Sequence, residues 1–194
     1  MKREEKKRIT REKIIQSAMY LFAEQGYEAT TVHQITERAG VAKGTFFNYF
    51  ACKEDIFCDV QLMFAVEEVQ KIKDKPGPLI PHIRNIIANI DHQLKLSRPL
   101  VLAVCQGNLT NANSIQNMVE QIEELTEALT EVAAVGQERG ELIKSMPPEM
   151  IAELAIQTFL GARLLWSIGR GDEDLSGHMA ITFELFFRSI AVHP

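Results

Sequence analysis

The sequence predicts an all-α protein of about nine helices, a three-helix head followed by a helical bundle, and three observations lead there. Apolar residues recur at steps of three and four along nearly the whole chain, the spacing of one helix face. No stretch of useful length alternates as a strand would. Gly and Pro fall at Gly26, Gly40, Lys75-Pro76-Gly77-Pro78, Gly140, Pro147-Pro148 and Gly169-Arg170-Gly171-Asp172, cutting the chain into helix-sized pieces. At 194 residues, 46% hydrophobic and 24% charged, the chain can bury a substantial core and carries no sign of disorder. Internal repeats and low-complexity tracts are absent.

The chain opens with a basic arm: Lys2, Arg3, Lys6, Lys7, Arg8, Arg11 and Lys13 against Glu4, Glu5 and Glu12. Such arms usually stay mobile, and this one reads either as a phosphate or minor-groove contact or as a solvated charge run. Thr10 is a suitable cap for a first helix reaching Gln25, with Ile14, Ile15, Ala18, Leu21 and Phe22 on one face and Gly26 as the stop. Thr31 and Gln34 then form a capping box, and Val32, Ile35 and Ala39 share a face. Gly40 suits a positive-φ turn, and Val41 plugs the angle to a third helix on which Phe46 and Phe50 face inward with Ile56. That is a helix-turn-helix from Thr30 to Lys53, with Lys43, Thr45, Phe47, Asn48 and Tyr49 left pointing outward. Such a helix fits a DNA major groove, where lysine donates to guanine and an apolar ring meets a thymine methyl. The alternative is a helical hairpin whose exposed aromatics pack elsewhere on the chain.

A fourth helix, Lys53 to Asp74, carries Ile56, Phe57, Val60, Met63, Phe64, Val66, Val69 and Ile72, too broad a set for one face, and so reads as a lever between head and body. The fifth runs to about Leu96 with Ile83, Ile86, Ile87, Ile90 and Leu94 inward. Pro99 opens a sixth, PLVLAVCQGN, apolar nearly all round and expected buried, with Gln106 and Asn108 needing partners at its end. The seventh, Asn113 to Arg139, places Ile115, Met118, Ile122, Leu125, Leu129 and Val132 along a seam, shows a solvated Glu face, is loosened by Gly136 and closes at Gly140. Pro148 suits the first turn of an eighth helix to Ile168, and a ninth runs from Leu175 to Ala191. On the ninth, Met179, Phe183, Phe186, Phe187 and Ile190 form one face while Ile181 and Leu185 lie on another. A closing helix pair with apolar surface to spare argues for a partner, and Gly161 with Ala162 would let a helix approach closely.

The run Val32-x-x-Ile35-x-x-x-Ala39-Gly40-Val41-x-x-Gly44-Thr45-Phe46-x-x-Tyr49-Phe50-x-x-Lys53-Glu54 resembles the N-terminal signature of the TetR family of bacterial transcriptional regulators. The resemblance implies a homodimer built through its last two helices, with a DNA-binding head at residues 1–53 and a ligand-binding and dimerisation body at 54–194. It implies a repressor on a palindromic operator, released by a small molecule. By that likeness Thr31, Thr45, Tyr49 and Lys53 hold phosphates while Ala42, Lys43 and Phe47 face bases, with Asn48 beside them. Phe47 stands where the family most often has tyrosine, Ala42 where it is commonly polar, and Cys52 where serine or lysine is more usual; these departures bear on which operator is read.

Charge divides unequally: residues 1–53 carry +4 and residues 54–194 carry −9. The basic end is the DNA end, and the acidic body limits non-specific binding. Three cysteines (Cys52, Cys58, Cys105) with no Cys-x-x-Cys pair fit a reducing compartment, and five scattered histidines have no zinc spacing. The charges of the N-terminus lead into no apolar segment, and the run Met179 to Val192 is broken by Glu184 and Arg188, so neither a secretory signal nor a membrane span is expected there. The expected setting is cytoplasmic. No phosphate loop, metal spacing or nucleophile elbow suggests an enzyme, and no cofactor is implied. The body, rich in Met, Ile and Phe, suggests a cavity for a small apolar effector, with Phe64, Cys105, Phe159 and Trp166 as walls and Gln106 as polar anchor; ordinary core packing is the alternative for all five. A second alternative is a regulator switched by a protein partner or by oxidation of Cys52, which neighbours several positive charges.

Overall fold

The computed structural model describes residues 3–27, 29–50, 52–92, 97–107, 112–169 and 173–192. Among them run nine helices: α1 (Arg3–Gln25), α2 (Val32–Ala39), α3 (Lys43–Phe47), α4 (Glu54–Ile72), α5 (Leu79–His92), α6 (Arg98–Gly107), α7 (Ala112–Glu138), α8 (Pro148–Ile168) and α9 (Leu175–Ile190). The chain divides into two compact units, Met1–Val60 with Gln106–Met118, and Gln61–Cys105 with Val119–Pro194. Helices α4, α6 and α7 each contribute residues to both. Leu94, Asn108, the Arg170–Asp172 turn and His193, and the side chains of Phe57, Cys58, Ile90 and His92, lie outside the described residues.

The first unit is built on a small core of Ile14, Ile15, Ala18, Ile35, Phe46, Phe50 and Ile56, with Leu21, Phe22, Val32, Ala39, Val41 and Val60 packed around it. These are the positions that helical spacing assigned inward. One expectation fails at the chain start: α1 begins at Arg3, so the basic arm is helical, and Thr10 is no cap. Its hydroxyl donates back to the Lys6 carbonyl at 2.9 Å, and Arg8 pairs with Glu12 at 2.7 Å one turn on. With no Gly or Pro before Gln25, nothing stops the helix from extending toward the N-terminus.

The second unit has two apolar clusters. One holds Ala65, Val66, Val69 and Ile72 of α4 with Leu79, Ile86, Leu125, Ala128, Val132 and Ile156. The other gathers Ile87, Val101, Ala133, Leu142, Ile151, Ala162, Trp166, Leu175, Met179, Phe183, Phe187 and Ile190, and α9 packs against both α8 and α5. Phe159 and Ile83 border both clusters. The α7 seam is buried only in its later part: Leu125 and Val132 are inside, Ile122 and Leu129 half-buried, and Ile115 exposed. The sixth helix corrects its prediction too, since Val101 alone is buried among its described side chains.

Gly136, expected to loosen α7, is instead a close-approach residue. It is buried, and a Cβ there would stand 2.7 Å from a Leu142 methyl. Its carbonyl accepts from Glu141 and Leu142, which starts the return of the chain past Gly140 at φ +74°. Residues 141–143 then lie antiparallel to the end of α9: Ile143 N–H donates to the Ile190 carbonyl and Val192 N–H to that of Glu141, both at 2.9 Å. Around this junction Arg139 donates to the carbonyls of Lys73, Lys75 and Gly77. Arg98 plays the same part at the other end of α8, donating to the Trp166 and Glu173 carbonyls with its guanidinium stacked 4.4 Å from the Trp166 ring.

Helix α8 is long and apolar enough by length and composition to cross a membrane. Of its apolar side chains Ile151, Ala152, Ile156, Ala162 and Trp166 are buried within the second unit. Met150, Leu160, Leu164, Leu165 and Ile168 are exposed.

Candidate nucleic-acid interface

The geometry of the head follows from three local devices. The first is the cap on α2, where Thr31 Oγ1 accepts from the Gln34 N–H at 3.3 Å and Gln34 Oε1 accepts from the Thr31 N–H at 2.9 Å. Both halves of the capping box are made, leaving fewer orphan N–H groups at the start of α2. The second is Gly40 at φ +67°, a left-handed conformation that closes α2 with its N–H on the Glu37 carbonyl. The third is the aromatic floor under α3: Phe46 is fully buried, its ring 5.5 Å from Phe50 and 5.3 Å from Phe47. With Phe46 pinned inward, the opposite side of α3 must face out.

That side presents Ala42, Lys43, Phe47 and Asn48, all exposed. Phe47 is 46% exposed, and the Lys43 ammonium stands 6.0 Å from its ring. Thr31 is exposed at the head of α2. Thr45 and Tyr49, expected to point outward with them, are half-buried, and Tyr49 packs against the head core. Lys43, Phe47 and Asn48 therefore share one short exposed face, with the hydroxyls of Thr31, Thr45 and Tyr49 on the same unit.

Lys53 holds a position that helical spacing could not reveal. Its ammonium donates to the carbonyls of Tyr27 and Thr30, each at 2.9 Å, and lies 4.1 Å from the Tyr27 ring centre. It ties the residue before α4 to the loop that delivers Thr31. Asn117, in the α7 segment that belongs to this unit, donates from its side chain to the Tyr49 carbonyl at 3.2 Å. Neither Tyr27 nor Asn117 was singled out from sequence; their partners are far along the chain and no spacing marks them.

Cys52 takes the place of a helix cap. Asp55, buried at the start of α4, accepts from the Cys52 N–H at 3.3 Å and from its thiol at 3.2 Å. The group facing the sulfur is a carboxylate, the opposite of the positive setting that activates thiols.

The five residues expected around a ligand are distributed as follows. Phe64 packs against the α4 cluster, Cys105 and Trp166 belong with the α9 cluster, and Phe159 borders both. Burial pushes the Cys105 thiol pKa up, against the opposing charge of Arg163. Gln106 is exposed and is grouped with the first unit. Arg163 itself was missed, although the sequence carried a signal: Ala152, Ile156, Phe159, Arg163 and Trp166 follow one another at steps of four and three, which sets an arginine in the middle of an inward stripe. No group of three or more metal-ligating side chains occurs among the described residues.

Residues 14–60 match the family described as bacterial regulatory proteins, tetR family. Along nearly its whole length the chain is similar to the HTH-type transcriptional repressor DhaR of Mycobacterium sp. (strain GP1), 25% identical over 193 residues that cover 92% of this chain and 93% of that one. It is likewise similar to the fatty acid metabolism regulator protein of Bacillus subtilis (strain 168), 28% identical over 188 residues, covering 91% and 93%. Among solved structures its fold is similar to that of Thermus thermophilus FadR, a TetR-family transcriptional repressor in complex with lauroyl-CoA, at a TM-score of 0.65, 22% identity and coverage of 95% and 96%.

Proposed function

Because this chain belongs to the TetR family of bacterial regulatory proteins, we propose that it is a transcriptional repressor that binds a palindromic operator as a homodimer and leaves it when a small apolar or amphipathic molecule occupies its body. One observation carries the DNA reading. A capped α2, a left-handed turn and a buried Phe46 together hold outward Lys43 and Phe47 of a five-residue helix and its C-cap residue Asn48. Lysine donating to guanine and an apolar ring on thymine methyls are the contacts such a face offers to a major groove. Thr31, Thr45, Tyr49 and the head's net positive charge supply the phosphate side, with Ala42 close to the bases. In this reading the chain is a regulator and not an enzyme, and it works in the cytoplasm, where its DNA is.

The dimer reading rests on α8 and α9. Leu165, Ile168, Ile181 and Leu185 are each more than half exposed on two helices that pack against each other, a density of aliphatic surface that a monomer seldom shows to water. A two-fold assembly places its recognition helices about 34–36 Å apart, or somewhat more, on one side of the duplex. The effector reading draws support from the full-length likeness to a protein crystallised with lauroyl-CoA and from the apolar clusters that meet at Phe159. Filling that region would tilt α4, whose residues belong to the head core at one end and the body core at the other.

The test is a comparison of two affinities. Lys43→Ala should weaken binding to the operator by about 1–3 kcal/mol and random DNA much less, since base contacts specify and phosphate contacts position. Equal losses on both would remove Lys43 from base reading.

A further inference from the structure

Tyr49 follows the C-cap residue of α3, and its backbone is held on both sides. Its N–H donates to the Phe46 carbonyl at 2.9 Å, as does that of Phe50 at 3.0 Å, so α3 itself fixes the nitrogen side. The Tyr49 carbonyl lies past the last turn, where the helix supplies no further donor, and a half-buried carbonyl needs one. The donor is the side chain of Asn117, half-buried on α7, at 3.2 Å and from 68 residues further along the chain. Asn117 belongs to the stretch Gln106–Met118, which is part of the first unit although it lies far beyond the helix-turn-helix. Among the described residues that stretch adds no side chain to the apolar core of the unit, and Gln106, Ala112, Ile115 and Gln116 are exposed. Asn117 therefore meets α3 by hydrogen bonding and not by packing. Of the three side chains with about this shape, Asn, ionised Asp and Leu, only Asn can donate.

We propose that Asn117 is a positioning residue for DNA binding. By satisfying the Tyr49 carbonyl it fixes the end of α3, and with it the direction in which the Tyr49 hydroxyl leaves the head toward a phosphate. The proposal rests on the DNA reading above and adds to it a residue of α7 that acts through Tyr49 and not by touching DNA.

The experiment uses the whole chain and the duplex that it selects from random DNA. Fluorescence anisotropy at fixed salt gives the operator affinity of the wild type, Asn117→Leu, Tyr49→Phe and the double variant, at a temperature where circular dichroism shows each of them folded. Asn117→Leu should weaken operator binding by about twofold to tenfold, the range of one hydrogen bond between neutral groups. Tyr49→Phe should weaken it by a similar factor in the wild type and by less than about twofold once Asn117 is gone, because a hydroxyl no longer aimed has little left to lose. Hydrogen exchange supplies the second readout. The Tyr49 and Phe50 amides, both held by the Phe46 carbonyl, should exchange faster in Asn117→Leu while those of Ile14 and Ala18 in α1 keep their rates. Should Asn117→Leu fail to fold, Asn117→Ala, which lets water reach the carbonyl, carries the same comparison with a smaller loss. A role in stability alone would lower the melting point and leave the affinity of the folded protein as it was. Unchanged operator affinity in the folded Asn117 variant, losses for the two substitutions that simply multiply, or a Tyr49→Phe protein that binds as the wild type does overturns the proposal and leaves the DNA reading standing. A wild-type protein that selects no duplex removes both.

Discussion

Removing the Lys53 ammonium should unfasten the head before it touches DNA affinity directly. Two carbonyls accept from it at 2.9 Å and the Tyr27 ring lies 4.1 Å away, so Lys53→Met deletes two charge-assisted hydrogen bonds and a cation–π contact at once. Buried, the bonds would contribute about 1.5–3 kcal/mol each and the ring about 0.5–1 kcal/mol. Lys53 is only half-buried, and water replaces part of what is lost. A total of about 2–3 kcal/mol is the expectation once that replacement by water is allowed for. For a chain of this length that corresponds to a fall in melting temperature of about 5–10 °C. The assay is thermal denaturation followed by far-ultraviolet circular dichroism, with hydrogen exchange at the α2 N-terminus to locate the loss. A melting point within about 1 °C of the wild type would refute the clamp. Salt dependence of DNA affinity supplies the complementary reading, since a residue acting only as a phosphate contact would lower the slope by about one and leave the fold alone.

Other consequences are simpler. Leu185→Glu, placed on an exposed face and not in the α9 core, should leave the helical content intact and convert the proposed dimer to monomers in sedimentation, with loss of operator affinity; a wild-type monomer at micromolar concentration would contradict the proposed interface. Gly136→Ala sets a methyl 2.7 Å from Leu142 and should cost about 1–3 kcal/mol by denaturant unfolding, so an unchanged midpoint would show that this approach is slack. Burial raises the Cys105 pKa, so the thiolate that reacts with maleimide is scarcer in the folded state than in the unfolded one. The sign for stability follows: the folded thiol holds its proton longer, so this group's contribution is full below the unfolded pKa and falls as pH climbs through and above it. Mass spectrometry after timed labelling at mildly alkaline pH should find Cys105 protected until denaturant is added, and equal rates in both states would contradict its burial.

What the sequence disclosed was whatever rests on neighbours. Thr31 with Gln34, Gly40, and the inward trio Phe46, Phe50 and Ile56 follow from spacings of a few residues, and each stands where the pattern put it. Cys52 and Asp55 repeat the cap spacing in a form masked by the unusual sulfur. Distance in the chain is what hid the rest. The carbonyls that hold Lys53 lie 23 and 26 residues before it, and Asn117 meets Tyr49 across 68. Polarity misled in two places. PLVLAVCQGN looked buried because it is apolar, although apolarity does not say which side of a helix has a neighbour, and Val101 alone is buried among its described side chains. Arg163 went unnoticed because a lone arginine in an apolar helix is easily read as surface; the stepping of its stripe says otherwise. Gly136 shows a third kind of miss, since a glycine inside a helix signals either weakness or close approach and only the position of Leu142 decides between them.

The account's central claim is sequence-specific DNA binding by the exposed face of α3, and enrichment of random duplexes by the purified protein tests it most directly. The selected DNA should contain an inverted repeat with half-sites about one helical turn or slightly more apart, bound about a thousandfold or more above unselected DNA at physiological salt. The same pool offered to a Lys43→Ala, Phe47→Ala double variant should lose that repeat while non-specific binding persists. No enriched motif, or a motif that the double variant selects equally well, would contradict the claim.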